Sequence, residues 1–152
     1  MIPEPLFRMQ LGVSDVCAEV IPWGVTEKYG RRAIALLRKK DADPDADIHG
    51  IGFDENDPGM FFAVQMVKAG EEWECHGVSA EGKSEKFLMT CIRVAAEAGH
   101  RLDWPLWTIF LKAQNELGWD GKAVAKVLVV SAKEAQEILG CHMAPRLTPA
   151  EA

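Results

Sequence analysis

The chain has 152 residues, with 17 lysines and arginines against 23 aspartates and glutamates, and a formal net charge of −6. About 150 residues is a common size for one domain, and 48% hydrophobic with 26% charged residues is ordinary globular composition. These figures exclude a disordered, collagen-like or supercharged protein, and we expect one compact domain over residues 1–152.

The charge is unevenly distributed along the chain. Residues 1–40 have a net charge of +3, residues 41–82 of −10, and residues 83–152 of +1. A net negative protein is a poor candidate for direct nucleic-acid binding, because affinity for phosphates comes from clustered lysines and arginines. The acidic block indicates a basic partner, a cation or a contribution to solubility.

The first forty residues predict an irregular arm followed by a helix. Prolines at positions 3, 5 and 22 interrupt residues 1–23 and predict an irregular N-terminal arm. From Val25 to Lys40, apolar residues fall on one half of a helical wheel and charged residues on the other. This pattern predicts an amphipathic helix with a basic face.

Three strands are predicted next, after a loop that contains Pro44, Gly50 and Gly52. They span Ile51–Asp54, Met60–Val67 and Glu72–Val78, with a turn at residues 56–59 after the first. The second is apolar on both faces, which is typical of a central strand covered on both sides, by helices or by a dimer partner. The last two are expected to form an antiparallel hairpin.

The C-terminal half is predicted to be mostly helical. Capping residues and apolar spacing predict helices over Glu85–Ala98, which Gly99 ends, over Pro105–Leu117, and from a capping box at residues 131–134. Residues 123–130 favour a strand, with a helix as the alternative. Residues 141–152 are expected to form an extended tail.

Together these elements follow the order α-β-β-β-α-α-β-α. We therefore predict an α+β fold in which an antiparallel sheet of three to four strands packs against four helices.

The cysteines indicate a reducing compartment. Four cysteines, at positions 17, 75, 91 and 141, form no CxxC motif, and neither an export signal nor a membrane span is visible. We therefore expect reduced thiols and a cytoplasmic protein. The dipeptides Cys75-His76 and Cys141-His142 suggest zinc, but neighbours on a strand point to opposite faces, so we expect no metal and no cofactor.

Catalytic and calcium-binding motifs are not found in the sequence. The alternating Asp41, Asp43, Asp45 and Asp47 fit no EF-hand register, because the required glycine and glutamate positions do not coincide. None of the GxSxG, HExxH, GxxxxGK[ST] or GxGxxG motifs occurs. We therefore expect a protein that is not an enzyme, with a small Cys/His metal or thiol enzyme as the less favoured alternative.

The sequence favours a protein-binding module of inhibitor, immunity or adaptor type, such as a phage or mobile-element accessory protein. It would present acidic residues 41–57 and 71–74 to a basic surface on a partner protein, such as one that itself binds nucleic acid. Two tryptophans at helix ends are expected to be partly exposed anchors. The predicted contact residues are Asp41, Asp43, Asp45, Asp47, Asp54, Glu55, Asp57, Glu71, Glu72, Glu74, Trp104 and Trp119. The alternative from another class is a homodimeric chaperone-like protein for a secreted or assembling client.

Overall fold

The fold is a six-stranded antiparallel sheet followed by one helix, seen in a computed structural model that describes residues 2–11, 15–28, 30–79 and 85–104. Each strand pairs with the next strand along the chain, so the spatial order is β1 to β6. The elements are β1 (Phe7–Gln10), β2 (Val16–Thr26), β3 (Gly30–Lys39), β4 (Ile48–Asp54), β5 (Asp57–Ala69), β6 (Glu72–Gly77) and α1 (Glu85–Leu102).

Both faces of the sheet are buried. On one, which we call the helix face, α1 packs its apolar stripe against the central strands. The helix contributes Cys91, Ile92, Val94, Ala95 and Ala98, and the sheet contributes Ala18, Val20, Ala33, Ala35, Ile51, Phe53 and Phe61. A second cluster on the opposite face includes Ile21, Trp23, Ile34, Leu36, Phe62, Val64 and Met66. Consecutive strand residues therefore supply two separate cores, as expected where side chains alternate.

The predicted architecture is wrong. The prediction had three to four strands and four helices, whereas the described residues form six strands and one helix. What survives is that sheet and helix are both present.

The largest single error is the helix predicted over Val25–Lys40, which is instead the end of β2, a turn and all of β3. Residues 33–36 are fully buried, and they alternate between the two cores. A continuous apolar run flanked by charges fits a helical wheel as well as a strand covered on both faces. Burial of both faces decides for the strand.

The irregular N-terminal arm is also wrong, because residues 1–23 contain β1 and most of β2. Pro22 is accommodated where the β2–β3 register shifts between Pro22 and Val25. Proline lacks a backbone N–H donor and is tolerated in sheets at such bulges. The proline that predicted an interruption therefore marks a bulge within a strand.

The later strands and the first C-terminal helix are confirmed. β4 and β5 cover the first two predicted strands, β6 covers the third except for Val78, and β5 and β6 form the antiparallel hairpin. The chain turns at Glu55 and Asn56, one residue before the predicted turn, and Asp57 already begins β5. The predictions for residues 105–117, 123–130, 131–140 and 141–152 lie outside the described residues.

The helix α1 continues past Gly99 and ends at Leu102 in a Schellman motif. Asp103 adopts a positive φ of 57°, and the Trp104 backbone N–H donates to the Gly99 carbonyl at 2.9 Å. In a Schellman motif, the backbone N–H of the second residue beyond the helix cap donates to a carbonyl in the last turn of the helix, as it does here. The motif turns the chain back and places the Trp104 side chain in the helix-face core, where it is 3% exposed.

An ion pair in the sheet interior joins β3 to β4. The Arg32 Nε donates to Asp54 Oδ1 at 2.8 Å and Nη2 donates to Oδ2 at 3.3 Å. The two residues are direct cross-strand partners, and their side chains are 5% and 0% exposed. The Arg32 guanidinium also lies 5.0 Å from the centre of the Phe62 ring on β5. Arginine and aspartate are rarely this buried unless paired, so the strand order depends on both partners.

Asp54→Ala is therefore expected to destabilise the protein by roughly 3–5 kcal/mol, because it leaves a buried guanidinium without its carboxylate. The matched control is Glu97→Ala, which removes the partner of Arg101 from an exposed pair on α1 and should cost about 0.5 kcal/mol or less. Urea denaturation of both variants measures the difference. Equal losses would show that the buried pair does not stabilise the fold.

Gly52 is expected to tolerate no larger side chain. An added Cβ would lie 2.7 Å from Phe62 Cδ2, and Phe62 is its cross-strand partner in β5. Gly52→Ala should therefore lower the free energy of unfolding by roughly 1–3 kcal/mol. Adding Phe62→Leu should recover part of this loss, because the smaller side chain frees the space. Strictly additive effects of the two substitutions would contradict this contact.

Candidate functional site

The acidic residues of two predicted segments lie together at one end of the sheet. In an antiparallel sheet with sequential strands, alternate connections lie at the same end, and here these join β1 to β2, β3 to β4 (residues 40–47) and β5 to β6 (residues 70–71). The Lys40 backbone N–H donates to the Asp15 carbonyl at 2.9 Å, which joins the first two turns. We call this region the acidic end, and its carboxylates are Asp15, Asp41, Asp43, Asp45, Asp47, Glu71, Glu72 and Glu74.

Lys68, on β5, is held within this group of carboxylates. Its Nζ lies 2.6 Å from Asp45 Oδ1, and the neighbouring Gln65 amide donates to Asp47 at 3.0 Å. The hydrogen bond to Asp45 raises the pKa of Lys68 above its usual value, with further contributions from the charges of Asp45, Glu71 and Asp43. The loop of residues 40–47 is thereby fastened onto β5, and its carboxylates and those of the β5–β6 turn act on a common cation.

The other predicted acidic residues lie at the opposite end of the sheet. Asp54 is fully buried against Arg32, and Glu55 follows it in the β4–β5 turn. Glu55 Oε2 lies 2.7 Å from Arg31 Nη2, and this hydrogen bonding lowers the pKa of Glu55 despite partial burial. The backbone of Asp57 pairs with that of Asp54. The predicted surface over residues 41–57 is therefore divided, and only residues 41–47 join residues 71–74.

The two tryptophans predicted as anchors do not form part of the acidic end. Trp104 is buried, with its ring edge-on to Phe53 at 5.9 Å between centroids and the Arg31 guanidinium 5.5 Å from its centre. The prediction of a partly exposed side chain is not met, because the helix-end motif folds this residue inward. Trp119 lies outside the described residues.

Sequence reasoning missed two residues at the acidic end. Asp15 belongs to the β1–β2 turn, which the prediction of an irregular arm left without a position. Lys68 could have been found from the sequence, because it is the only lysine or arginine of segment 41–82. The attraction between opposite charges favours an ion pair between a lone lysine and the carboxylates around it.

An apolar cleft of about 340 Å³ opens on the helix face beside the acidic end. Its apolar walls come from Val16, Leu37, Ala63 and Val78, and Lys39 and His49 also line it. The cleft lies next to residues 40–47, because Leu37, Lys39 and His49 also line a hollow against that loop. An apolar centre with a polar rim is the usual composition of a protein-binding site, and the cleft and the acidic end lie side by side in this way.

The cysteines and histidines do not converge in the part of the chain that the structure describes. Cys75 is fully buried, whereas its neighbour His76 points to the other side of β6 and lies 3.4 Å from Glu74. Among the described residues, Cys17, Cys75 and Cys91 form no disulfide. Over the same residues, no group of three or more His, Cys, Asp or Glu side chains is arranged to hold a metal ion.

No helix in the described ranges combines the length and apolar character needed to cross a membrane.

Comparison with known proteins identifies no relative: no protein family, curated protein or solved structure matches this chain.

The pKa of Lys68 provides a direct test of the acidic end. Asp45→Asn should lower this pKa toward its ordinary value, because it removes both the charged hydrogen-bond acceptor and the largest nearby charge. Since the pKa is raised in the folded state, the pair stabilises the fold below the ordinary lysine pKa and less as pH rises through the raised value. Alkaline NMR titration of the Lys68 side chain measures the shift. Asp41→Asn is the control and should leave the pKa nearly unchanged, and an equal effect of both substitutions would contradict the specific contact.

Proposed function

We propose that this protein is a non-enzymatic protein-binding module that binds a basic partner through the acidic end. The proposal rests on one observation: the Lys68 ammonium group lies 2.6 Å from Asp45 Oδ1, at the end of the sheet where the carboxylates of two separate turns lie. A surface that pairs with an exposed lysine of its own in this way offers the same chemistry to lysines and arginines of a partner.

The charge balance of the acidic end supports a basic partner. Eight carboxylates lie there with four basic residues, Arg38, Lys39, Lys40 and Lys68, and Arg38 is paired with Glu19. At the opposite end Arg31 and Arg32 are each paired with a carboxylate. The excess negative charge is therefore concentrated on one side. Such a field steers a positively charged partner and selects its orientation, and it is screened by salt over about 8–10 Å.

Affinity needs apolar contact as well as charge, because exposed ion pairs contribute little. The cleft lined by Val16, Leu37, Ala63 and Val78 is placed to take an apolar side chain of the same partner. We therefore assign to this cleft the apolar contact that the sequence analysis had assigned to Trp104. The proposed binding surface therefore consists of the acidic end together with this cleft.

The test compares two variants that each remove three exposed carboxylates. The first, Asp41→Asn with Asp45→Asn and Glu71→Gln, neutralises the acidic end, and the second, Glu4→Gln with Glu27→Gln and Asp103→Asn, is the control. Partners captured by the full chain from its host are purified and their affinities measured at several salt concentrations. The acidic-end variant should bind about tenfold or more weakly and with a shallower salt dependence, whereas the control should bind normally.

Equal binding and equal salt dependence of the two variants would refute the role of the acidic end. Weaker binding of both variants to the same extent would also refute it, because the effect would then come from total charge.

A further inference from the structure

A second pocket lies at the opposite end of the sheet from the acidic end. Its volume is about 420 Å³, and it lies between strands β2 and β3, the start of the chain and the end of α1. Its lining residues are Leu6, Pro22, Gly24, Val25, Arg31, Arg32, Leu102 and Trp104. Pockets of about 300–1,000 Å³ with apolar walls and a few polar groups are typical of small-molecule sites.

Two apolar side chains that line this pocket are unusually exposed to solvent. Leu6 and Val25 are 45% and 66% exposed, and they are the large hydrophobic side chains that stand out to solvent in the described residues. Both line the same pocket. Exposed apolar surface costs free energy in water, and grouping it at a concave site indicates a ligand that covers it.

A β-bulge shapes the pocket. The register between β2 and β3 shifts between Pro22 and Val25, and Gly24 within this bulge has a φ of +97°. A residue with a Cβ rarely adopts this conformation, so the glycine permits the bulge. Bulges redirect side chains and are frequent beside binding sites. Here the bulge lies where Val25 projects into solvent.

The charged residues that line the pocket in the described residues are both arginines. Arg32 is paired with the buried Asp54. The Arg31 guanidinium lies 5.5 Å from the centre of the Trp104 ring, and Glu55 accepts from its Nε and Nη2. Positive charge beside an apolar pocket favours a ligand that carries negative charge.

We propose that this pocket binds a small amphipathic carboxylate, with its apolar body against Leu6, Val25 and Leu102 and its carboxylate at Arg31. The carboxylate accepts from the Arg31 edge that Glu55 does not occupy, and the Trp104 ring forms the wall beside it. This activity is separate from the proposed partner binding, because the two sites lie at opposite ends of the sheet.

The experiment titrates the full-length chain with sodium decanoate below its micellar concentration and, separately, with decanol. The indole N–H resonance of Trp104, assigned by Trp104→Phe, reports binding by NMR. Decanoate should bind at one saturable site and shift this resonance, and it should bind about tenfold more tightly than decanol, since hydrogen bonds to a charged group are the stronger ones.

Two variants test the contacts. Arg31→Gln should weaken decanoate binding about tenfold and leave decanol binding unchanged. Val25→Asp, at an exposed position that should leave folding intact, should weaken decanoate binding by a similar factor through charge repulsion and lost apolar contact. The control is Arg8→Gln, which removes an arginine of similar exposure, 62% against 59%, that pairs with Glu19 on β2.

Three outcomes would overturn the proposal. An unmoved Trp104 resonance at saturating decanoate would place the ligand elsewhere, and equal affinity for decanoate and decanol would exclude a carboxylate site. If the Trp104 resonance broadens as the protein concentration rises and does not respond to decanoate, the pocket binds a second copy of the chain instead.

Discussion

The buried ion pair between Arg32 and Asp54 is the interaction on which the rest of the structure depends. It joins the two middle strands, β3 and β4, at the end of the sheet opposite the acidic end, and it extends to β5 through the Phe62 ring. Two buried charges impose a strict requirement, because a one-residue slip in register would leave both without a partner at a cost of several kcal/mol. Because both faces of β3 are buried, hydrophobicity alone does not determine its register, although the small Ala33 and Ala35 on one face and the larger Ile34 and Leu36 on the other favour the observed one. The polar pair adds a specific requirement to this difference in side-chain volume.

That register also determines where the charges of the molecule lie. With β3 and β4 paired around Arg32 and Asp54, the carboxylates of residues 41–47 lie at one end and Arg31 and Glu55 at the other. The turn of residues 40–47 then reaches Lys68 on β5, and the acidic end forms. At the opposite end the same pairing places Arg31 over Trp104 and beside the bulge in β2. The proposed partner surface and the proposed ligand pocket are thus two consequences of one strand alignment.

The sequence predicted part of this arrangement, for physical reasons that individual residues make clear. Alternation along Glu72–Gly77 identified β6, and Ser84 with the apolar spacing after it identified α1. Residues 33–36 led to the wrong prediction of a helix, because a run that is apolar on both faces has no distinguishing period. Its alanines and leucines also favour a helix. Strand β2 was missed because Pro22 is at a bulge, which only the pairing with β3 reveals. Charge singled out the acidic residues, and their role in binding stays a prediction. Their division between two ends could not be predicted without the strand order, and neither could the burial of Trp104, which depends on the Schellman motif at the end of α1.

A basic partner should contact the acidic end of the sheet and not the opposite end. Backbone hydrogen exchange of the full chain, measured alone and in the presence of a captured basic partner, distinguishes the two ends. We expect new protection at residues 40–47 and 70–74, and unchanged exchange at residues 24–32 and 53–57. Protection of the latter residues, with no change at the acidic end, would contradict this expectation.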